Sequence, residues 1–110
     1  MPHFMFKAKF SAASVKGLIE HPEDRRKTVE KMMDAAGAKL HSYYMTFGET
    51  DAIVIFEAPD AATAGALSMA AASSGGLASI ETVALLTTEE AMAAMKKAAP
   101  LRAVYKAPGH

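Results

Sequence analysis

Alternation of apolar and polar residues predicts a first β-strand over residues 4–10. The apolar face of this strand consists of Phe4, Phe6, Ala8 and Phe10. Further strands are predicted over residues 40–47, 52–56 and 77–86 from their β-branched and aromatic content. Because only a short connection containing Gly48 joins the second and third strands, these two must be antiparallel neighbours.

Apolar residues at helical spacing predict two helices between the first two strands. Ser11 is a suitable N-cap for a short helix whose apolar residues lie within 15–19. A second apolar stripe follows over residues 29–36 and ends at Gly37, a typical residue after a helix C-terminus. Pro22 is expected in the first turn of this second helix, where proline is well tolerated.

Capping residues predict two more helices. Asp60 is a suitable N-cap for a helix that runs to about Ser73 and is rich in alanine and glycine. Thr87 and Glu90 have the spacing of a capping box, so they predict the start of a final helix. Pro100 is expected to end that helix.

The order β-α-β-β-α-β predicts an α+β fold of the ferredoxin-like type, with an antiparallel sheet and an extra C-terminal helix. The whole chain, residues 1–110, is expected to form one domain, with a core over 3–99 and a tail over 100–110. A short strand-like segment is expected within the tail at residues 102–105.

The sheet face that the helices leave open is expected to be apolar. The third strand has no polar residue from Ala52 to Phe56, and the fourth is apolar throughout residues 83–86. Such a patch is rarely left in water, because its exposure costs several kcal/mol. A second copy of the chain is the expected cover, which predicts a homodimer or higher homo-oligomer of the dimeric α+β barrel type; the final helix could shield part of the face.

Composition narrows the choice of partners. The 12 basic and 12 acidic residues balance, so nucleic-acid binding is not expected, and the absence of cysteine excludes disulfides and thiolate metal sites. The uncharged stretch 61–80 has the length of a membrane span, but its many small residues favour a helix, a turn and a strand. With no signal peptide visible, a cytoplasmic location is expected.

Several segments resemble the GYD domain family in the expected order. They are Pro22-Glu23-Asp24-Arg25-Arg26, Gly37-Ala38-Lys39-Leu40, Tyr43-Tyr44-Met45-Thr46-Phe47 and Gly48-Glu49-Thr50-Asp51 with the strand that follows. The resemblance spans residues 4–92 and implies a ferredoxin-like, dimeric fold, without implying a reaction. Thr50 is a departure, because the family usually has an aromatic residue before the aspartate.

Three residues are candidates for a ligand-binding or acid–base role on the strands. Asp51 opens an apolar strand, where burial would raise its pKa, although it can equally accept hydrogen bonds from the turn amides of residues 48–50. His41 and Tyr43 are expected on one strand face by parity, so they could bind a small polar ligand together or serve as packing residues.

Two basic residues complete the candidate set. Arg25 lies on the apolar stripe of its helix, from which it could bind an anion or pair with Asp51; it could equally be a solvated surface residue or form a salt bridge between subunits. Lys7 and Lys9 share a strand face with Met5, and if that face meets a partner their ammonium groups could pair with Glu57 or Glu81. Lys9 could also stand at the entrance of a ligand groove. The four histidines lack the spacing of a helical metal pair, and no phosphate-binding loop or nucleophile elbow is present, so neither a metal site nor a cofactor is predicted.

These observations favour a small oligomeric domain that binds a polar or anionic molecule between helices and sheet. A cofactor-independent isomerase, decarboxylase or monooxygenase is the alternative drawn from fold analogy. A purely structural assembly module is the third possibility. An enclosed cavity lined by Asp51, His41 and Tyr43 would favour the enzyme, whereas an open groove with Arg25 or Lys9 at its mouth would favour ligand binding.

Overall fold

The computed structural model describes residues 1–110. Its elements are β1 (His3–Phe10), α1 (Ala12–Glu20), α2 (Arg25–Ala35), β2 (Lys39–Met45), β3 (Ala52–Glu57), α3 (Ala61–Ser73), β4 (Leu77–Leu85) and α4 (Thr88–Leu101). The four strands form one antiparallel sheet in the order β2-β3-β1-β4. The predicted α+β, ferredoxin-like architecture is therefore confirmed.

The helices begin at side chains that accept the free amides of their first turns. Ser11, Asp60 and Thr87 cap α1, α3 and α4, as their sequence positions predict. Asp24 caps α2 by accepting the amide of the second residue of that helix. Pro22 thus lies in the connection before α2, and its expected position in the first turn is wrong.

The core lies between the inner face of the sheet and helices α2 and α3. Phe6 and Phe56 meet across β1 and β3 with ring centroids 4.5 Å apart. Met33 of α2 and Leu67 of α3 pack on this layer and are fully or almost fully buried. Alternate residues of β1 and β3 therefore point into the core, as the period of two predicts.

A β-bulge at His41 interrupts the alternation of β2. Leu40 pairs with Phe56 and Ser42 with Ile55, so His41 is one extra residue on this strand. Leu40 and Tyr43 consequently both pack against the core, although they differ in parity. The expectation that His41 and Tyr43 share a face is wrong, because the bulge places His41 on the outer face beside Glu57.

The outer face of the sheet carries apolar side chains that no helix of the same chain covers well. Met5, Ile53, Ile55 and Val83 occupy its centre, and each is half-buried. Helix α4 has no buried residue and no extensive contact with another element. It extends away from the sheet, which contributes to a longest dimension of 58 Å. The final helix therefore does not shield part of this face, although its sequence position allowed this.

The C-terminal segment differs from its prediction. Pro100 lies inside α4, and the helix ends one residue later at Leu101. Residues 102–104 form a turn, and residue 105 is irregular, so the expected strand is absent. The amides of Val104 and Tyr105 donate to the carbonyl of Leu101, so they are not free to pair with a sheet edge.

The uncharged stretch 61–80 divides into α3, a turn and the beginning of β4, as predicted. Gly75 has a φ of 76° and allows the chain to leave α3 sharply. None of the helices combines the length and the apolar character required of a membrane-spanning segment.

Candidate functional site

A cleft of about 710 Å³ separates α1 and the start of α2 from the inner face of the sheet. Its volume lies within the range of small-molecule pockets. Apolar side chains form most of its wall, and the polar positions are Ser14, His21, Glu23, Arg25, Thr28, Tyr43 and Ser74. Gly17, Ala70, Ala71 and Gly76 keep the cleft wide, since they place little or no side chain in it.

Arg25 and Tyr43 are the two predicted site residues that line this cleft. Burial raises the pKa of Tyr43 above its usual value, and the nearby charge of Arg25 opposes that rise. The Arg25 guanidinium donates to Glu23 at 3.1 Å, and its side chain is 31% exposed. Because a guanidinium has five N–H donors, this bond leaves others for a ligand.

Asp51 and Lys9 form a separate pair at the end of β1. The Asp51 Oδ2 accepts the backbone amide of Phe10 at 2.9 Å, and Oδ1 lies 3.3 Å from the Lys9 ammonium. These contacts, the Phe10 amide foremost, lower the pKa of Asp51 below its usual value. Phe10 and Lys9 are thus the hydrogen-bond donors to Asp51. The expected donation from the turn amides of residues 48–50 and the expected pairing of Asp51 with Arg25 are both wrong.

Lys9 also donates to the carbonyl of Gly48 at 2.9 Å, so it joins β1 to the connection between β2 and β3. Of the two lysines expected to pair with Glu57 or Glu81, Lys9 pairs with neither. Lys7 does contact Glu81, at 3.9 Å within the same chain, since it lies directly opposite Glu81 in the pairing of β1 with β4.

His41 lies on the outer face, where it contacts Glu57 and the ring of His3. Its Nε2 is 2.5 Å from Glu57 Oε2, and the His3 Nε2 is 3.8 Å from Glu57 Oε1. The hydrogen bond with His41 is the main reason that the pKa of Glu57 is lowered. The α-amino group of Met1 lies 3.7 Å from the same carboxylate.

The five predicted site residues therefore occupy three places: Arg25 and Tyr43 the cleft, Lys9 and Asp51 the end of β1, and His41 the outer face. Sequence reasoning missed His3 and Glu57 as neighbours of His41. The period of β1 and β3 could have placed those two on one face, but only the bulge brings His41 to them.

The sheet order and helix placement define a ferredoxin-like α+β domain with a cleft on the helical face. The sequence pattern of the GYD domain family matches residues 4–95, most of the chain, so this chain belongs to the GYD domain family. The resemblance noted from its motifs is confirmed. No curated protein sequence matches it significantly.

Among solved structures, the crystal structure of MtbAldR is similar in fold, with a TM-score of 0.56 at 9% sequence identity. The match covers 78% of this chain and 53% of the MtbAldR chain, so this chain spans about half the length of that protein. At this identity the likeness extends to the fold alone.

Proposed function

We propose that this protein is a homo-oligomeric domain that binds a small molecule in the cleft between its helices and its sheet. The observation that carries the proposal is the cleft itself, with largely apolar walls and with Arg25 and Tyr43 as convergent polar groups. Apolar walls with a few placed donors are typical of ligand sites. The ligand class that fits is a molecule with an aromatic or aliphatic body and an anionic or acceptor group.

The charges in the cleft favour an acceptor on the ligand. Arg25 supplies guanidinium donors, and Tyr43 supplies a hydroxyl that is protonated at neutral pH, since the usual tyrosine pKa is about 10 and burial raises it further. Glu23 holds Arg25 in place at the cleft wall. A carboxylate or sulfonate placed beside Arg25 would form charge-assisted hydrogen bonds, which are stronger than neutral ones.

Binding is favoured over catalysis by the positions of the acid–base candidates. Asp51 has a lowered pKa and is engaged with Phe10 and Lys9 outside the cleft. His41 lies on the opposite face of the sheet. The enzyme alternative required Asp51, His41 and Tyr43 to line one cavity. Of these three, only Tyr43 lines the cleft.

The binding proposal can be tested with anilinonaphthalene sulfonate, a dye that joins aromatic rings to one sulfonate. The fluorescence of the dye is measured as it is titrated into the wild-type protein and into the Gly17→Leu variant. Gly17 lines the cleft and an added Cβ meets nothing within 4 Å, so a leucine side chain can begin there and narrow the cleft. Gly65→Leu in α3 is the matched control, because its Cβ is also unobstructed but the residue does not line the cleft.

We expect Gly17→Leu to abolish saturable dye binding and Gly65→Leu to preserve it. Arg25→Gln should weaken binding about tenfold, the loss expected for one hydrogen bond to a charged group. Equal dye affinity in the wild type, Gly17→Leu and Arg25→Gln would contradict the proposal, since the dye would then bind elsewhere.

Self-association is supported by the shape of the chain. A compact domain of this length has a radius of gyration of about 13 Å, whereas this chain has 17.4 Å. Its accessible surface of 7669 Å² is about a third larger than that expected for a monomer of its mass. A second copy, seated on the outer face and on α4, would bury the apolar residues that one chain leaves exposed.

The apolar residues of α4 and its flanks support this arrangement. They are Leu86, Met92, Met95, Leu101, Val104 and Tyr105, and more than half of each is exposed. A helix of 14 residues is marginal in water without packing. A second copy related by a two-fold axis would cover both the outer sheet face and α4, because the axis places these surfaces of one chain against the other chain.

A further inference from the structure

Three strands bring two imidazoles and one carboxylate to one corner of the outer sheet face. His3 begins β1 and lies directly opposite Glu57, which ends β3. His41 reaches the same corner from β2, because the bulge turns it to the outer face. This cluster lies on the face opposite the ligand cleft and shares no residue with it.

The donor atoms are close enough to hold one cation. One nitrogen from each ring and one oxygen of Glu57 all lie within 4.8 Å of one another. In a tetrahedral zinc site, bonds of about 2.0–2.2 Å separate neighbouring ligand atoms by about 3.3–3.6 Å. Glu57 places Oε2 2.5 Å from the His41 Nε2 and Oε1 3.8 Å from the His3 Nε2, so a rotation of the carboxylate that sets one oxygen between the two rings would complete this geometry.

The chemistry of the donors selects the class of ion. Imidazole suits Zn²⁺ and other first-row divalent metals, whereas Mg²⁺ and Ca²⁺ prefer sites made of oxygen ligands. All three side chains are partly exposed, at 32%, 36% and 18% for His3, His41 and Glu57, so an ion can enter from solvent. Three protein ligands leave at least one coordination position for water or another molecule.

We propose that His3, His41 and Glu57 bind a divalent transition-metal ion, with Zn²⁺ as the fitting representative. Its coordination would tie β1, β2 and β3 together at the edge where α4 begins. Because the three ligands come from distant parts of the chain, the unfolded chain would bind the ion weakly. Binding should therefore stabilise the folded state.

The experiment uses the full chain without an affinity tag, stripped of metal with a chelator. Zn²⁺ binding is measured by calorimetry, and Co²⁺ binding by its visible absorption, which reports coordination directly. We expect one ion per chain and a rise in melting temperature on adding Zn²⁺. His41→Ala and Glu57→Gln should each weaken binding at least about tenfold, since even outer-shell partners of a metal contribute that much.

His110→Ala is the matched control, because His110 is an exposed histidine that lies outside both the cluster and the cleft. It should bind Zn²⁺ like the wild type. His3→Gln is a second ligand variant at the edge of the fold, should His41→Ala fail to fold. No saturable binding by the wild type, or binding that survives in the ligand variants, would overturn the proposal.

Discussion

His41 and Tyr43 are separated by one residue in β2, yet their side chains lie on opposite faces of the sheet. Tyr43 lines the cleft and packs against the core, while His41 contacts Glu57 on the outer face. The bulge between Leu40 and Ser42 produces this arrangement, because it adds one residue to the strand without a partner on β3. One short strand thus contributes to two separate surfaces.

Deletion of His41 should leave the fold intact. The residues that remain would alternate without a bulge, with Leu40 and Tyr43 still facing inward. We expect circular dichroism and dye binding close to those of the wild type, with loss of Zn²⁺ binding. Deletion of Tyr44 is the control, because the bulge would remain while Met45 loses its pairing position opposite Ala52, which should lower the melting temperature more. A His41 deletion that unfolds would show that the bulge is indispensable.

Asp51→Asn should lower the melting temperature by several degrees and leave dye affinity unchanged. The substitution removes the charge that accepts the Phe10 amide and pairs with Lys9, and these contacts join the end of β1 to the loop before β3. Thermal melts and dye titrations at neutral pH measure both effects. A variant with wild-type stability but weaker dye binding would place Asp51 in the ligand site instead.

Protonation of Asp51 should lower the stability of the folded state at acid pH. The folded pKa of Asp51 lies below its unfolded value of about 3.9, mainly because of the Phe10 amide. Its contribution is therefore complete above the unfolded pKa and is lost as the pH falls through the lower folded pKa. Melting temperatures of wild type and Asp51→Asn should converge over that acid range; a constant gap down to the lowest pH would contradict the assignment.

Tyr43 should titrate above the usual tyrosine pKa of about 10. Burial raises its pKa, and Tyr44 on the same strand, which is 67% exposed, offers a matched control variant. A spectrophotometric titration should show a late step that Tyr43→Phe removes and Tyr44→Phe does not. Since the folded pKa is raised, the stability that the neutral phenol contributes is present below about pH 10 and is lost as the pH rises through the folded pKa.

Ile55→Glu should convert the proposed dimer into a monomer. Ile55 lies near the centre of the outer face, and a glutamate there would bring a charge into an apolar interface. Sedimentation should give twice the chain mass of 11.6 kDa for the wild type and the single chain mass for the variant. Ile19→Glu on α1 is the control, because Ile19 is 75% exposed on another surface. A monomeric wild type would refute the dimer.

Local signals in the sequence predicted most of the fold. Ser11, Asp60 and Thr87 cap helices because a short oxygen-bearing side chain can satisfy free amides whatever the rest of the chain does. The strand period likewise placed Phe6 and Phe56 in the core. These features depend on residues close together in sequence, which explains why they can be predicted from it.

The candidate sites were harder to predict, because they depend on long-range pairing. A strict period of two put His41 beside Tyr43, and the bulge that separates them arises from the register with β3. Arg25 and Tyr43 meet through the packing of α2 on β2. The segment 102–105 has strand-like composition, but its local hydrogen bonds to Leu101 prevail because it has no strand partner.

Helix α4 buries none of its residues within its own chain. Its order should then depend on how much protein is present. In dilute solution the segment would fray, and its amides would exchange hydrogen with water within the shortest labelling times. In concentrated solution the same amides would become protected while those of β1 and β3 stayed unchanged, so this helix would complete its folding only on encounter with another copy.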